Sequence, residues 1–346
     1  MAKTNPFIET RFFGRERELE QIASCITVEG ICTVIGPRGI GKTALVSRIG
    51  GIVADCALHF DARTLLHTLA KELVRVRSVE GPLHFWHVNA RISPTEIQPL
   101  ANASVSDLAK ELVEVANQGE VPFPIVLDEF QDLEDAEDCF ELLSVLFNRG
   151  NGAQLVLTTS SEKAFDAFCE KMKKAFKTVS EELEFDCGAK IELQRITVEE
   201  WRSFISRLFR ESGKRCENAL VNQMYQNTRG HTATMLALAQ RLWDITDHVS
   251  DDNLLKEAFK SVVKDARSSL ESMWLGLAFN EKRLLAALGA DPTNKPQGRA
   301  WLSKHRFSSS SLARSMDGLK DKGLIYCDPD KYFRPVNPLM EEIFGS

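Results

Sequence analysis

The segment Gly36–Thr43 constrains the fold of this chain more than any other stretch. It reads Gly-Pro-Arg-Gly-Ile-Gly-Lys-Thr and matches the phosphate-binding pattern G-x-x-x-x-G-K-[ST] in full. An apolar run at 31–35 precedes the segment and a helical pattern at 44–49 follows it, as the pattern requires. Backbone N–H groups of such a turn, and the positive end of the following helix, both attract phosphate. The sequence therefore predicts a nucleoside triphosphate site at this turn.

Two side chains of the segment have predicted roles beside the phosphates. Lys42 should reach the β- and γ-phosphates, and the hydroxyl of Thr43 should hold Mg²⁺. The alternative is a glycine-rich turn with a surface lysine and no ligand. The predicted nucleotide contacts in this part of the chain are Gly36, Pro37, Arg38, Gly39, Ile40, Gly41, Lys42, Thr43 and Ala44.

An apolar run that ends in two carboxylates disfavours that alternative. It covers 123–129 and ends in Asp128 and Glu129. A strand of a parallel sheet is buried on both faces, so its charged groups appear at the carboxyl end, where ligands bind. We expect Asp128 to bind Mg²⁺ through a water and Glu129 to polarise the attacking water, with Lys42 completing the catalytic set. The remaining alternative is that both carboxylates only cap the next helix.

The composition indicates a globular protein with two or three domains. The 346 residues are 43% apolar and 27% charged. Because no run approaches about 18 apolar residues and the first residues lack a signal-peptide core, we expect a cytoplasmic protein without membrane contact. The eight cysteines are scattered without zinc-ligand spacing, and we expect them to be reduced.

Apolar runs alternate with amphipathic stretches in the first half, which is typical of βαβ units. The apolar residues of 81–103 have no regular spacing, and we interpret this stretch as an insertion. Its aromatic and histidine side chains either form a partner site or, as is more common for such residues, are packed or solvated. Predicted strands lie near 31–35, 56–61, 123–128, 153–159 and 189–194, and predicted helices at about 41–54, 63–78, 104–118, 134–148, 162–178, 197–210, 215–226, 231–247 and 251–270.

The C-terminal part has the pattern of a winged helix-turn-helix. Helices are predicted at 280–289 and 308–322, joined by a Pro/Gly-rich connection and followed by two short strands around Asp328-Pro329-Asp330. Residues 280–346 carry eleven Lys/Arg and eight Asp/Glu, whereas the whole chain has a net charge of −6. This local positive balance favours duplex DNA, but Asp317 and Asp321 lie on the helix that would enter the groove, and such domains also bind proteins.

The order of these motifs resembles the archaeal-type P-loop ATPases of the STAND and AAA+ group, relatives of the origin-recognition initiator ATPases. The resemblance rests on Phe13-Gly14-Arg15-Glu16-Arg17-Glu18-Leu19, the phosphate-binding segment, Leu127-Asp128-Glu129-Phe130-Gln131 and the helical parts. It implies an α/β P-loop NTPase sheet with helices on both faces, then a helical lid and a C-terminal winged helix. The implied domains are 1–195, 196–272 and 273–346. The resemblance also places Gly14 and Arg15 against the base and ribose of the nucleotide. The alternative is that the charged residues 15–18 are only the solvated start of a helix.

The same resemblance suggests residues that sense the γ-phosphate. Thr159 or Ser160 would do so from the end of the 153–159 strand, unless their hydroxyls only cap the next helix. The segment Thr228–His231 resembles the lid motif, but Thr232 stands where proline is usual, so a sensor role for Arg229 or His231 stays open. Arg195 is the best candidate for an arginine finger, and a solvated charge is the alternative.

These patterns lead to one functional prediction and one alternative. The prediction is an ATP- and Mg²⁺-binding, slowly hydrolysing ATPase that acts as a conformational switch and controls assembly with a protein partner or with its own copies. The alternative is a DNA-binding initiator or loader that uses residues 280–346 on duplex DNA. A small-molecule kinase is disfavoured because no acceptor pocket is evident.

Overall fold

The computed structural model describes residues 5–9, 12–28, 30–56, 61–77, 103–117, 123–133, 139–179, 187–328 and 330–345. Residues 81–102 of the predicted insertion and Pro329 of the predicted turn lie outside this set. The helices are α1 Pro6–Glu9, α2 Glu16–Val28, α3 Lys42–Val46, α4 Ala62–Arg77, α5 Val105–Asn117, α6 Phe140–Leu146, α7 Glu162–Val179, α8 Val198–Glu211, α9 Asn218–Thr228, α10 Thr232–Ile245, α11 Asp252–Leu275, α12 Phe279–Ala290, α13 Arg299–His305, α14 Ser309–Asp321 and α15 Leu339–Phe344. The strands are β1 Ile31–Ile35, β2 Ile52–Asp55, β3 Ile125–Asp128, β4 Leu155–Thr159, β5 Ala189–Glu192, β6 Ile325–Cys327 and β7 Phe333–Pro335.

The chain divides into two compact units. The sheet unit comprises Arg15–Gly36 and Lys42–Leu193. The helical unit comprises Met1–Gly14, Pro37–Gly41 and Gln194–Ser346. The three domain ranges predicted from the sequence stay a prediction. None of the helices in the described residues is long and apolar enough to cross a membrane.

The sheet unit is built on five parallel strands in the order β2-β3-β4-β1-β5. Every residue of β1, β3 and β4 is buried, which explains why these strands are continuous apolar runs rather than alternating ones. Helices α4, α5, α6 and α7 contribute to a core with the sheet in which Phe130 and Phe165 are fully buried. The α/β class with a parallel sheet, predicted from the sequence, is confirmed.

Two predicted elements of this unit are wrong in their bounds. The helix expected at 41–54 ends at Val46, and the strand expected at 56–61 is β2, which begins at Ile52. Gly50 ends the helical region with φ +79°, and an added Cβ at Gly51 would lie 2.2 Å from the carbonyl oxygen of Pro124. Glycine at position 51 therefore lets the chain run against the start of β3, where Ile52 N–H donates to Pro124 O at 2.9 Å.

The acidic run after β3 continues as a short 3-10 helix, Phe130–Leu133, within the described part of the chain. The helix expected at 134–148 is present as α6, which begins at Phe140. Residues 134–138 lie outside the described set. Among the described residues, the prediction is correct in type, and the helix ends at Leu146, two residues earlier than expected.

The helical unit has its own apolar core. Phe13 stacks on Phe204 with ring centroids 3.7 Å apart and meets the fully buried Trp201 edge-on. Helix α8 begins where predicted, because Thr197 and Glu200 form a capping box. At the C-terminal end, α12, α13 and α14 precede an antiparallel β6–β7 pair, the element order of a winged helix-turn-helix. The sequence prediction missed α13.

Candidate functional site

The lysine of the phosphate-binding segment is buried and already bonded. Lys42 is the first residue of α3 and its side chain is 4% exposed. Its ammonium donates to Gly36 O at 2.9 Å and pairs with Glu129 Oε1 at 3.1 Å. Gly36 N–H in turn donates to Thr159 O at 3.2 Å, which holds the end of β1 against β4. The structure thus joins the loop lysine to the predicted catalytic carboxylate.

Asp128 lies between two hydroxyl groups at the carboxyl end of β3. Thr43 Oγ1 donates to Asp128 Oδ2 at 2.6 Å, and Thr158 Oγ1 donates to Asp128 Oδ1. A hydroxyl and a carboxylate in contact are hard oxygen donors of the kind Mg²⁺ prefers, and Mg²⁺ commonly takes only one or two protein ligands and keeps several waters. The side chains of Thr43 and Asp128 therefore fit the predicted metal.

Glu129 is the most heavily hydrogen-bonded carboxylate of this site. Besides Lys42, it accepts from Gln131 Nε2 at 2.7 Å and from the backbone N–H of Ser160 at 3.1 Å. Burial raises the pKa of Glu129, but the Lys42 charge and these hydrogen bonds outweigh it, and the net pKa is lowered. The carboxylate is therefore ionised at neutral pH, as a general base requires.

Two residues of this constellation were not among the predicted site residues. Thr158, fully buried within β4, accepts from Glu129 N–H at 3.0 Å while it donates to Asp128, so one hydroxyl connects both carboxylate residues. Gln131 orients Glu129. The only sequence signal for Thr158 was a hydroxyl inside an apolar strand, and Gln131 was visible as the last letter of the Asp-Glu-Phe-Gln motif.

The two predicted sensor residues behave differently. The hydroxyl of Thr159 donates to Ser161 O at 3.0 Å and accepts from Ser161 N–H at 3.2 Å, which is a local turn at the strand end. Ser160 contacts the carboxylate of Glu129 through its backbone. The structure therefore brings Ser160, and not the hydroxyl of Thr159, to the carboxylate. Sensing of the γ-phosphate by either residue stays a prediction.

In the helical unit, His231 contacts the phosphate-binding segment. It caps α10, with Nδ1 2.8 Å from Thr234 Oγ1, and its Nε2 lies 3.1 Å from Arg38 O. Burial lowers the pKa of His231 to about 4, so the ring is neutral and the proton is on Nε2, which donates to the Arg38 carbonyl. An added Cβ at Gly39, where φ is +75°, would lie 2.4 Å from Nε2. Gly39 therefore leaves room for the imidazole ring.

The predicted base and ribose contacts fall in different units. Gly14 belongs to the helical unit, has φ +66° and lies beside Ile196. Arg15 belongs to the sheet unit, is buried, and its guanidinium donates to Glu18 Oε1 at 2.7 Å. The alternative of a solvated helix start does not hold for Arg15, because only 5% of this residue is exposed. Their contacts with a nucleotide stay predictions.

Arg229 of the predicted lid motif and Arg195, the candidate arginine finger, both contact C-terminal elements of the helical unit. Arg229, at the C-terminal end of α9 with φ +47°, forms a two-pronged ion pair with Glu341 of α15. Arg195 lies over the ring of Tyr326 at 4.3 Å and donates to Val336 O at 3.3 Å and to Arg229 O. Neither is a solvated charge.

Comparisons with known proteins agree with this geometry. Residues 11–158 match the family model described as the AAA ATPase domain. No curated protein matches the chain. Among solved structures, the chain is similar to the Walker-type ATPase PABY2304 of Pyrococcus abyssi, at a TM-score of 0.71 and 17% identity over 96% of each chain.

A second similar structure is the ORC2 protein of Aeropyrum pernix in its ADP form. The TM-score is 0.54 at 15% identity, over 99% of this chain and 97% of that one. Identities this low establish the fold alone. The AAA part of the resemblance is confirmed, because residues 11–158 match the AAA ATPase domain and the chain has the fold of a Walker-type ATPase. Membership of the STAND group stays an expectation.

Proposed function

We propose that this protein binds and slowly hydrolyses ATP and uses the nucleotide as a switch that controls assembly with a protein partner or with its own copies. The observation that carries the ATPase part is the constellation of Lys42, Thr43, Asp128 and Glu129 in one unit. Its charges match the needs of phosphoryl transfer: a cation and loop N–H groups for the phosphates and an ionised carboxylate for water. Bound Mg²⁺ supplies further neutralisation of phosphate charge.

Lys42 links binding to the catalytic carboxylate. Its ammonium is shared between Gly36 O and Glu129. Two of the three N–H donors of the Lys42 ammonium already serve Gly36 and Glu129. Hydrogen bonds from Lys42 to phosphate oxygens therefore compete with its ion pair to Glu129 for these donors and for the single positive charge. As Lys42 turns to the phosphates, Glu129 keeps Gln131 and Ser160 as partners and becomes available to orient the attacking water.

The switch part is supported by a short path within the helical unit. Arg38 O accepts from His231, His231 follows Arg229 by two residues, and Arg229 pairs with Glu341 of α15. Residue 38 of the loop is therefore linked to the C-terminal helix by two contacts and the backbone between residues 229 and 231. This path gives α15 a physical means to respond when the loop closes on phosphate.

The ATPase assignment is tested by two substitutions and one control. Lys42→Ala should weaken ATP binding at least tenfold, because a charge-assisted contact contributes about 1.5–3 kcal/mol. Glu129→Gln should retain ATP binding but lower turnover about 10²- to 10⁴-fold, since the amide accepts no proton. Glu114→Gln, an exposed position on α5, should change neither. Calorimetry and phosphate release measure these quantities; wild-type affinity in folded Lys42→Ala would contradict the assignment.

The switch is tested by hydrogen exchange in α15. ATP should change the exchange of the Leu339–Phe344 amides in the wild-type protein. The change should be lost in Lys42→Ala and reduced in Arg229→Ala, which lacks the link to Glu341. Identical exchange of α15 with and without ATP, at saturating nucleotide, would refute the switch and leave the ATPase assignment standing.

Duplex DNA binding is the second candidate, carried by the net positive charge of residues 280–346. Lys304 and Arg334 are paired with Asp291 and Asp328, at 2.8 and 2.7 Å. In the described part of the chain, Arg306, Arg314 and Lys331 form no ion pair. The five cations just named lie on α14, on the approach to it and on the β6–β7 wing, where such domains meet the DNA backbone. Two of them are already paired within the protein, which places this function second.

A further inference from the structure

We propose that Cys169 and Cys187 are a modification site, a thiol pair that forms a reversible disulfide within the sheet unit. The two Sγ atoms lie 2.9 Å apart. Cys169 is a buried residue of α7, and Cys187, half-buried, stands two residues before β5. The proposal does not depend on the proposed function.

The backbone on both sides of the thiol pair is fixed. Helix α7 packs into the sheet core through Phe165, Phe168 and Met172. Cys187 O accepts from Thr33 Oγ1 of β1 at 2.8 Å, and an added Cβ at Gly188 would lie only 2.0 Å from Ile31 O. Both cysteines are thus held in place by other contacts. A disulfide requires the sulfurs to approach by only about 0.9 Å, to about 2.05 Å.

Thiol–disulfide exchange requires the thiolate, whose fraction rises with pH. Of the two thiols, Cys187 is the more accessible, since Cys169 is buried.

The oxidant belongs to the class of low-molecular-weight disulfides, such as oxidised glutathione. The Cys187 thiolate, the more accessible of the two, attacks one glutathione sulfur, and the other leaves as a thiolate. Cys169, as its thiolate, then attacks the Cys187 sulfur and releases the second glutathione thiolate. Two protein thiols are oxidised, one glutathione disulfide is reduced to two thiols, and the two protons pass to the released thiolates.

The product joins two parts of the sheet unit that lie near the nucleotide site in sequence. Helix α7 begins two residues after Ser160, and the carbonyl of Cys187 accepts a hydrogen bond from Thr33 of β1, the strand that leads into Gly36. A disulfide would close the chain from residue 169 to residue 187 into a ring of 19 residues. Closing such a ring stabilises mainly by restricting the unfolded chain.

The test uses the full-length protein and oxidised glutathione at pH 8. After free thiols are alkylated and the protein is digested, mass spectrometry should find a peptide that links Cys169 to Cys187, with a mass about 2 Da below that of the two thiol peptides. Dithiothreitol should reverse it. The Tm of the oxidised protein should rise by about 5 °C.

Two variants serve as controls. Cys187→Ala should abolish both the linkage and the rise in Tm. Cys216→Ser should leave both unchanged, because burial raises the pKa of Cys216 to about 11 and keeps its thiol unreactive. The proposal is overturned if oxidation leaves Cys169 open to alkylation, if Cys187 stays glutathionylated, or if either residue links to another cysteine such as the exposed Cys327. The wild-type linkage map decides the matter even if a variant does not fold.

Discussion

Replacing Gly39 with alanine tests whether His231 fixes the backbone of the phosphate-binding segment. The alanine Cβ would lie 2.4 Å from Nε2 and 2.6 Å from Cε1 of the imidazole, so the ring has to move. Moving the ring breaks the 3.1 Å hydrogen bond from Nε2 to Arg38 O. The substitution therefore has two separable costs, one from the backbone and one from the lost histidine contact.

The structure gives the size of each cost. Gly39 has φ +75°, a left-handed conformation that costs an L-residue about 1–2 kcal/mol. The lost hydrogen bond contributes about 1 kcal/mol. Gly39→Ala should therefore lower the unfolding free energy by about 2–3 kcal/mol. In a protein that already lacks the histidine contact, only the backbone cost should remain.

His231→Asn supplies that second background. The shorter side chain can still cap α10 through its oxygen, as asparagine commonly does, but it does not reach Arg38. Urea unfolding of the wild type, both single variants and the double variant forms a cycle with an expected coupling of about 1 kcal/mol. Gly50→Ala is the matched control, because Gly50 has φ +79° and nothing within 4 Å of an added Cβ. Its cost should be the same in both backgrounds.

Additive effects of Gly39→Ala and His231→Asn would refute the reasoning. The reasoning would also fail if Gly50→Ala and His231→Asn showed a coupling energy as large as that of Gly39→Ala and His231→Asn, since Gly50 has no contact with the imidazole ring. ATP affinity of the same proteins adds a functional readout: Gly39→Ala should weaken binding more in the wild-type background than beside His231→Asn.

Three further outcomes are expected. The pKa of His231 is about 4 in the folded protein and about 6.5 in the unfolded chain, so neutral His231 stabilises the fold fully above pH 6.5 and this stabilisation is lost as pH falls toward 4. Between pH 6.5 and pH 4, the unfolding free energy should therefore fall by about 3 kcal/mol less in His231→Asn than in the wild type. Arg229→Met should lower the unfolding free energy by about 2 kcal/mol by leaving the half-buried Glu341 unpaired, and adding Glu341→Leu should restore part of it in the same assay. If residues 280–346 bind duplex DNA through Arg306, Arg314 and Lys331, anisotropy of a labelled duplex should give a slope of log affinity against log salt of about −2.7, and no binding at low salt would exclude DNA.

The elements that local sequence determines were the ones predicted well. The loop between β1 and α3 needs glycines at fixed places and a terminal Lys-Thr, and a buried strand that ends in Asp-Glu is typical of the sheet that accompanies such a loop. The start of β2 was missed because it depends on a contact: Gly51 runs against Pro124, which is 73 residues away in the chain. The hydrogen bond from His231 to Arg38 joins residues 193 positions apart, so local sequence could not predict it either.

The choice between neighbouring hydroxyls shows a second limit. All five residues of β4 are buried, so no alternation of polar and apolar residues indicates which face Thr158 or Thr159 is on. The prediction chose Thr159 and Ser160 because they end the strand. Pairing decides instead: the hydroxyl of Thr158 reaches Asp128 on the neighbouring β3, and that of Thr159 turns to Ser161.

The backbone of Glu129, the proposed catalytic base, could not be predicted from the sequence. It has φ +51°, a conformation that glutamate rarely adopts and that costs about 1–3 kcal/mol. Nothing in its residue type indicates this, since glycine and asparagine are the usual occupants. The strain is held by bonds on both sides, from its N–H to Thr158 and from Lys42, Gln131 and the Ser160 N–H to its carboxylate. Because a helix cap needs no such backbone, the strained conformation supports the proposal that Glu129 acts as the base rather than as a cap.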